Sequence, residues 1–172
     1  MQLDRILNDP IAELVDPDDQ VIPPASAVSG WQVPEPDRRA LLDFGLPRIP
    51  IMKYLPEASP PAEAVKRDDE VMGYLLGRLR ILDVFAAPGT GAVQGVSRRN
   101  GRRSFLNSSA ASYVEISWRM YHLRMERYMI DNDEEADLAL AAFLRRANEI
   151  DPQVGQDETQ SYWAGEAKAW AA

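Results

Sequence analysis

The chain has 172 residues, 45% of them hydrophobic and 27% charged, so it is long enough for one folded domain and too apolar to be disordered throughout. It contains no cysteine and one histidine, His122, which excludes disulfides, thiolate chemistry and a metal site built on paired histidines. No apolar run could cross a membrane, and the first ten residues lack the apolar core of a signal peptide. These features predict a soluble, cytoplasmic protein without a metal or another cofactor.

Charge is distributed unevenly along the chain. The net charge is −8, so phosphate repels the chain as a whole and direct binding of nucleic acid is not expected. Residues 95–130 hold seven arginines against two glutamates, a net charge of +5, whereas residues 131–172 have a net charge of −7. The expected macromolecular partners are basic proteins. The alternative is that the acidity serves only solubility.

The N-terminal 36 residues read as an arm that packs on the rest of the chain. Asp9-Pro10 predicts the start of a short helix. Residues 16–36 contain five prolines, which favour an extended or irregular backbone, and Trp31 and Val33 are expected to hold it against the body. We therefore predict a proline-rich arm at residues 1–36 and a single domain at residues 37–172. A short helix starting at Pro36 and ending at Gly45 is expected to open that domain.

Residues 70–107 carry the patterns of β-strands. In the first strand, alternation places Met72, Tyr74 and Leu76 on one face, with Val71, Gly73 and Leu75 on the other. Further strands are expected at 79–85, 92–98 and 102–106, and Asn100-Gly101 predicts a type I′ turn between the last two. The expected arrangement is an antiparallel meander of four strands, with at best an edge strand at residues 49–55, where a proline interrupts the apolar run.

Helical patterns follow the strands. Apolar residues recur at helical spacing in three stretches: Val114, Trp118, Tyr121, Met125 and Met129; then Ala136, Leu140, Phe143, Ala147 and Ile150; then Trp163, Ala167 and Trp170. Asp151-Pro152 is expected to end the second helix. Because strands and helices occupy separate blocks, the sequence predicts an α+β fold, with a central antiparallel sheet flanked by helices.

Several segments resemble one protein family in their order and spacing. Residues 77–113 read GRLRILDVFAAPGTGAVQGVSRRNGRRSFLNSSAASY, preceded by RRALLDFGLP at 38–47 and followed by NEIDP at 148–152 and by Trp163. This series resembles the SUKH-4 immunity proteins, which are similar to the SMI1/KNR4 proteins. The resemblance covers about residues 30–170. Gln94 departs from it, because an aromatic residue is frequent at that position in the group.

The resemblance carries expectations about fold and function. It implies an α+β domain and a bacterial immunity protein, which binds a cognate polymorphic toxin, often a nuclease or a deaminase, and blocks it stoichiometrically. A second interpretation is a regulatory or scaffold protein-binding module of the same fold. Neither is enzymatic.

The residues at the start of the first long helix have two interpretations. Asn107, Ser108 and Ser109 are all N-cap residue types, and the favoured interpretation is structural capping of that helix. The alternative is an exposed recognition corner.

Arginines flank the predicted Asn100-Gly101 turn. Arg98, Arg99, Arg102 and Arg103 are interpreted as a solvated hairpin tip whose like charges discourage aggregation. The alternative is a grip for phosphate or for an acidic partner, although alternation along a strand puts only some of them on one face.

An acidic run precedes the second long helix. Asp131, Asp133, Glu134, Glu135 and Asp137 are the candidate partner-binding residues, because they could mimic phosphates toward a basic nuclease. The alternatives are favourable electrostatics at a helix N-terminus and a calcium loop, of which the second lacks the glycine needed for its sharp turn.

No catalytic constellation is recognisable. His122 is a lone histidine at the border of an apolar stripe, where packing is the expected role, and no G-x-S-x-G elbow, P-loop or dinucleotide fingerprint is present. A small hydrolase is therefore the least favoured of the functions considered, and we predict a protein that is not an enzyme.

Overall fold

The computed structural model describes residues 2–49, 54–127, 133–155 and 162–165. Its helices are α1 (Leu3–Asn8), α2 (Ile11–Leu14), α3 (Ala25–Val28), α4 (Glu35–Asp43), α5 (Ala110–Arg127) and α6 (Asp133–Ile150), and α6 is followed by a 3₁₀ helix (Pro152–Gly155) and a helical turn at 162–165. Its strands are β1 (Gln20–Val21), β2 (Leu46–Pro47), β3 (Tyr54–Pro56), β4 (Val65–Arg67), β5 (Glu70–Leu79), β6 (Leu82–Ala86), β7 (Val93–Ser97) and β8 (Arg103–Asn107). This architecture confirms the predicted α+β fold.

The strands β5, β6, β7 and β8 form an antiparallel meander, as the alternating patterns predicted. The inner face of this sheet carries Val84, Ala86 and Leu106, which join residues of α5 in the main core. The outer face carries Phe85 and Val96, which belong to a separate small cluster. The predicted edge strand is present as β3, which pairs with β5, while residues 50–53 lie outside the described part of the chain.

A bend in β5 overturns the predicted alternation at its start. Met72 packs in the cluster of the outer face, whereas Tyr74 packs in the main core, so the two do not share a face as expected. Between them Gly73 has a φ of +123°, and a Cβ there would lie 2.5 Å from the Ala86 carbonyl oxygen. Glycine accepts this conformation readily, whereas other residues do not, so Gly73 permits the strand to turn here. As a result, the β4–β5 hairpin lies over the outer face.

Two tight turns differ from expectation. The loop of the β4–β5 hairpin consists of Asp68 and Asp69, whose positive φ angles of 50° and 64° are typical of a type I′ turn, and the sequence analysis missed this hairpin. The type I′ turn predicted at Asn100-Gly101 is wrong, because only Gly101 has a positive φ there. That loop is wider, since Gly101 donates its N–H to the Ser97 carbonyl at 2.8 Å.

The N-terminal residues contribute directly to the main core. Trp31 and Val33 are buried, as predicted, and Trp31 stacks on Tyr74 with ring centroids 4.8 Å apart. The short helix expected after Pro10 is α2, while α1 was not predicted. The boundary between arm and domain at residue 36 stays a prediction.

The two long helices match their predicted positions, but α5 is more deeply buried than one stripe would allow. Val114, Trp118 and Tyr121 are buried as expected, whereas Met125 is 48% exposed, which contradicts its assignment to the stripe. Instead, Ile116, Met120 and Leu123 are also buried, because α5 contacts the sheet, α1, α2, α4 and α6. Met129, Ala167 and Trp170 lie outside the described residues.

Candidate partner-binding surfaces

The acidic run forms the exposed beginning of α6. Asp133, Glu134 and Glu135 occupy the first turn, where carboxylates interact favourably with the positive end of the helix dipole, and Asp137 follows. All four are exposed, because α6 buries Ala136, Ala139 and Phe143 on its other side. Asp131 lies outside the described residues. The structure therefore places Asp133, Glu134, Glu135 and Asp137 on one end of a surface helix, which we call the acidic surface.

An exposed leucine lies within the acidic surface. Leu138 is 65% exposed and follows Glu134 and Glu135 by four and three residues, which puts the three on neighbouring positions of the helix. In the described part of the chain neither Glu135 nor Asp137 forms an ion pair. The surface thus offers an apolar side chain beside the carboxylates of Glu135 and Asp137. The charge pattern alone drew no attention to Leu138.

The residues 107–109 have different partners. Ser109 Oγ accepts a hydrogen bond from the N–H of Ser112 at 3.0 Å, the geometry of an N-cap on α5. Asn107 and Ser108 turn instead to Asp151, which accepts from the Asn107 amide at 3.0 Å and from the Ser108 hydroxyl at 2.9 Å. Trp163 Nε1 donates to the Asn107 side-chain oxygen at 3.0 Å. The geometry of this corner is that of a buried junction between elements.

The carboxyl group of Asp151 is held charged inside this corner. Burial raises its pKa, but the hydrogen bonds from Ser108, Asn107 and Ser112 outweigh burial and hold the pKa below its ordinary value. The sequence marked Asp151 only as the end of a helix, because its partners lie about 40 residues away in the chain.

A second buried carboxylate supports the same helix from α4. Asp37 is 1% exposed, and its Oδ1 accepts a hydrogen bond from the Ala111 N–H at 2.8 Å, in the first turn of α5. Its Oδ2 is buried without a partner among the described residues and lies close to Gly91. Burial raises the pKa of Asp37. Sequence analysis missed this residue because an aspartate in the first turn of its own helix already has a local explanation.

The N-terminal helices are fastened to α5 by polar side chains. Arg119, 2% exposed, donates to the carbonyls of Ile6 at 2.6 Å and Asp9 at 3.1 Å, at the C-terminal end of α1. His122 Nε2 lies within hydrogen-bonding distance of the Leu14 carbonyl, at the end of α2. Since a carbonyl only accepts, that nitrogen carries the proton. The geometry of His122 is therefore that of a packing residue.

The four hairpin arginines do not act as one group. Arg99 and Arg102 are exposed at the tip. Arg98 reaches Asp83 on the outer face at 3.1 Å, and Arg103 pairs with Glu70 at 2.7 Å. All four are solvent-exposed, but only Arg98 and Arg103 pair with carboxylates of the outer face.

Gln94, where an aromatic residue was expected, has a specific role on the outer face. Its Nε2 donates to the Met72 carbonyl at 2.9 Å and its Oε1 accepts from Arg103 at 3.3 Å. Gln94 thereby fastens the β4–β5 hairpin through one hydrogen bond that it donates and one that it accepts.

Metal sites and membrane-spanning helices were also sought in the described part of the chain. Among the described residues, no group of three or more histidine, cysteine, aspartate or glutamate side chains is placed to hold a metal ion. Within those same residues, none of the helices combines the length and apolar character needed to span a membrane.

Comparison with known families gives a match along nearly the whole chain. The model of the SUKH-4 immunity protein family matches residues 6–168, which confirms the resemblance seen in the sequence. Comparisons with curated proteins and with solved structures gave no significant match. Because the match spans nearly the whole chain, including the N-terminal segment, the sheet and the long helices, the chain belongs to the SUKH-4 immunity protein family.

Proposed function

We propose that this chain is a cytoplasmic, non-catalytic immunity protein that binds a cognate polymorphic toxin, a nuclease or a deaminase, and blocks it stoichiometrically. Family membership supports an immunity role and a toxin partner. The choice of partner, a toxin with a basic binding surface, rests on the acidic surface.

The acidic surface favours a basic partner. Its four described carboxylates project from one helix end on a chain whose net charge is −8. Complementary charges raise the rate at which partners meet and suppress binding to wrong partners. A toxin that binds nucleic acid needs a basic active-site cleft, and a row of carboxylates can occupy the place of phosphates there. Leu138 supplies an apolar contact next to them.

The buried and half-buried polar residues that could take part in catalysis already form hydrogen bonds that hold the fold together. His122 contacts the end of α2, and Asp151 is surrounded by donors from Asn107, Ser108 and Ser112. Asp37 is 1% exposed and is bound to the first turn of α5. These contacts favour inhibition by binding over turnover.

A co-expression experiment tests the proposal. A nuclease or deaminase toxin domain, taken from the vicinity of this gene where one is encoded there, is expressed in a bacterial host with and without this chain, and growth is followed. We expect growth arrest with the toxin alone, rescue by this chain, and a 1:1 complex by isothermal titration calorimetry. Arrest that persists despite soluble, folded protein of this chain contradicts the proposal. Rescue at far below equimolar amounts contradicts the stoichiometric mechanism.

A further inference from the structure

The outer face of the sheet carries a cluster of arginines that the immunity function leaves unexplained. The β4–β5 hairpin, folded over this face at Gly73, brings Arg67 to Asp83 of β6 and places its guanidinium carbon 6.0 Å from the centre of the Phe85 ring. Arg98, from the end of β7, binds the other oxygen of the same carboxylate at 3.1 Å. Two arginines distant in sequence thus meet on one aspartate.

Asp83 fixes these arginines in place. It is 6% exposed, and each of its oxygens is taken by a different guanidinium, while Arg78 Nε approaches Oδ1 at 3.9 Å. Arg98 is held a second time, because it also donates to the Arg80 carbonyl. A buried carboxylate with hydrogen bonds on both oxygens restricts the guanidiniums before any ligand arrives, so less side-chain entropy is lost on binding.

The positive charge of the cluster exceeds the negative charge that neutralises it. Three guanidiniums share Asp83, and in the described part of the chain only Arg78 approaches a further carboxylate, that of Glu57, at 3.8 Å. The surrounding segment, residues 65–107, holds eight basic and four acidic side chains, a net charge of +4. This is the reverse of the acidic surface, which lies on the helical side of the sheet.

The arginines of the cluster are partly exposed and have more donors than Asp83 uses. The side chains of Arg67 and Arg98 are 39% and 40% exposed, and Asp83 uses only part of the five N–H donors of each guanidinium. The planar fork of arginine matches the oxygens of a phosphate group. A long polyanion is disfavoured, because the chain as a whole is strongly acidic and repels it. A small phosphorylated compound experiences mainly the local charge, within about one Debye length of 10 Å.

We propose that Arg67 and Arg98, positioned by Asp83 and supported by Arg78, form a binding site for a phosphate group of a small phosphorylated compound on the outer face of the sheet. The site lies on the other side of the sheet from the acidic surface, so it does not depend on the proposed function.

Sodium pyrophosphate is the probe, titrated into the full-length protein at constant ionic strength and followed by calorimetry. We expect saturable 1:1 binding with a Kd below roughly 1 mM. The variants Arg67→Gln and Arg98→Gln should each weaken it by at least about tenfold. The matched controls Arg99→Gln and Arg102→Gln remove the same charge from the exposed tip, and should change the Kd by less than about threefold.

The variant Asp83→Asn distinguishes a site with arginines held in place from a surface that attracts anions only by its charge. This variant raises the net charge by one, so a diffuse electrostatic surface would bind pyrophosphate more tightly, whereas loss of the anchor should weaken binding. Where a glutamine variant loses its fold by circular dichroism, Arg67→Lys and Arg98→Lys replace it, since they keep the charge but lose the fork.

Four results would overturn the proposal. They are no saturation at roughly 10 mM pyrophosphate, equal losses in the tip controls, tighter binding by Asp83→Asn, and tighter binding of a hexaglutamate peptide than of pyrophosphate. The last result would reassign the cluster to an acidic protein segment.

Discussion

Asp151 accepts a hydrogen bond from the backbone N–H of Ser108 at 2.7 Å, although 43 residues separate the two in the chain. The same carboxylate accepts from Asn107 and Ser112. It therefore joins the end of α6 to the corner where β8 passes into α5. Because the carboxylate is buried with several donors directed at it, removing it would leave those donors without partners in a place that water does not reach.

Replacing Asp151 by alanine should lower the free energy of unfolding by roughly 3 kcal/mol, since several buried donors lose a charged acceptor. Chemical denaturation of the variant and the wild type measures the difference. A loss below about 1 kcal/mol would mean that other groups or water satisfy these donors.

The same aspartate should make the fold sensitive to acid. Hydrogen bonds hold the pKa of Asp151 below its unfolded value of 3.8, so its contribution to stability is complete above that pH and is lost as the pH falls through the lower folded pKa. In denaturation series between roughly pH 2 and pH 5, the wild type should lose more stability on acidification than Asp151→Ala. Parallel curves would contradict the assignment.

Asp37 should affect the pH dependence of stability in the opposite direction from Asp151. Burial raises its folded pKa above the unfolded value of 3.8, so between these two pKa values the folded state holds the proton more tightly and stability falls as the pH rises. Asp37→Asn keeps an acceptor for the Ala111 N–H and should abolish this part of the pH dependence. A slope that remains in the variant would show that another group causes it.

Replacing Ser109 and replacing Asn107 by alanine should lower the free energy of unfolding by different amounts, although the two residues are only two positions apart. Ser109→Ala removes an N-cap hydrogen bond at a half-buried position and should cost about 1 kcal/mol. Asn107→Ala removes a fully buried side chain that links Asp151 to Trp163, so it should cost at least about 2 kcal/mol. Toxin affinity, measured well below the melting temperature, should barely change in Ser109→Ala. A large loss of affinity without a change in melting would show that this corner contacts the toxin.

Gly91 and Gly101 offer a matched pair, because both have a φ of +71°. A Cβ on Gly91 would lie 1.8 Å from Asp37 Oδ2, whereas a Cβ on Gly101 would meet nothing within 4 Å. Gly101→Ala should therefore cost only the backbone strain, about 1 kcal/mol, whereas Gly91→Ala adds a clash with a buried carboxylate and should cost clearly more. Similar melting temperatures for the two variants would contradict this placement of Asp37.

Toxin association should depend on the acidic surface. Reversal of Glu134, Glu135 and Asp137 to lysine should reduce the on-rate and its dependence on salt, because exposed charges act mainly on diffusional encounter. Surface plasmon resonance between low salt and roughly 0.5 M salt measures both quantities. Reversal of Arg99 and Arg102 to glutamate is the matched control. If that control loses binding while the acidic variant does not, the assigned polarity of the interface is wrong.

The sequence determined the features that depend on neighbours along the chain. Alternation over residues 70–107 predicted the meander, helical spacing predicted α5 and α6, and the run Asp133–Asp137 predicted an acidic helix start, since each pattern repeats within a few residues. Local composition likewise placed Trp31 and Val33 against the body. The order of these segments was also sufficient to identify the family.

The tertiary structure decided which distant polar groups meet. Nothing near Asp83 in sequence indicates that Arg67 and Arg98 share it, and nothing near Asp151 indicates Ser108. The bend at Gly73 reverses the expected facing of Met72 because a close approach to the Ala86 carbonyl, rather than local propensity, sets the backbone there. Met125 fits the helical stripe and is nevertheless exposed, because burial depends on which elements pack around α5. Periodicity reports which side of an element is apolar, whereas the partner of a buried charge is chosen by contacts between residues far apart in the chain.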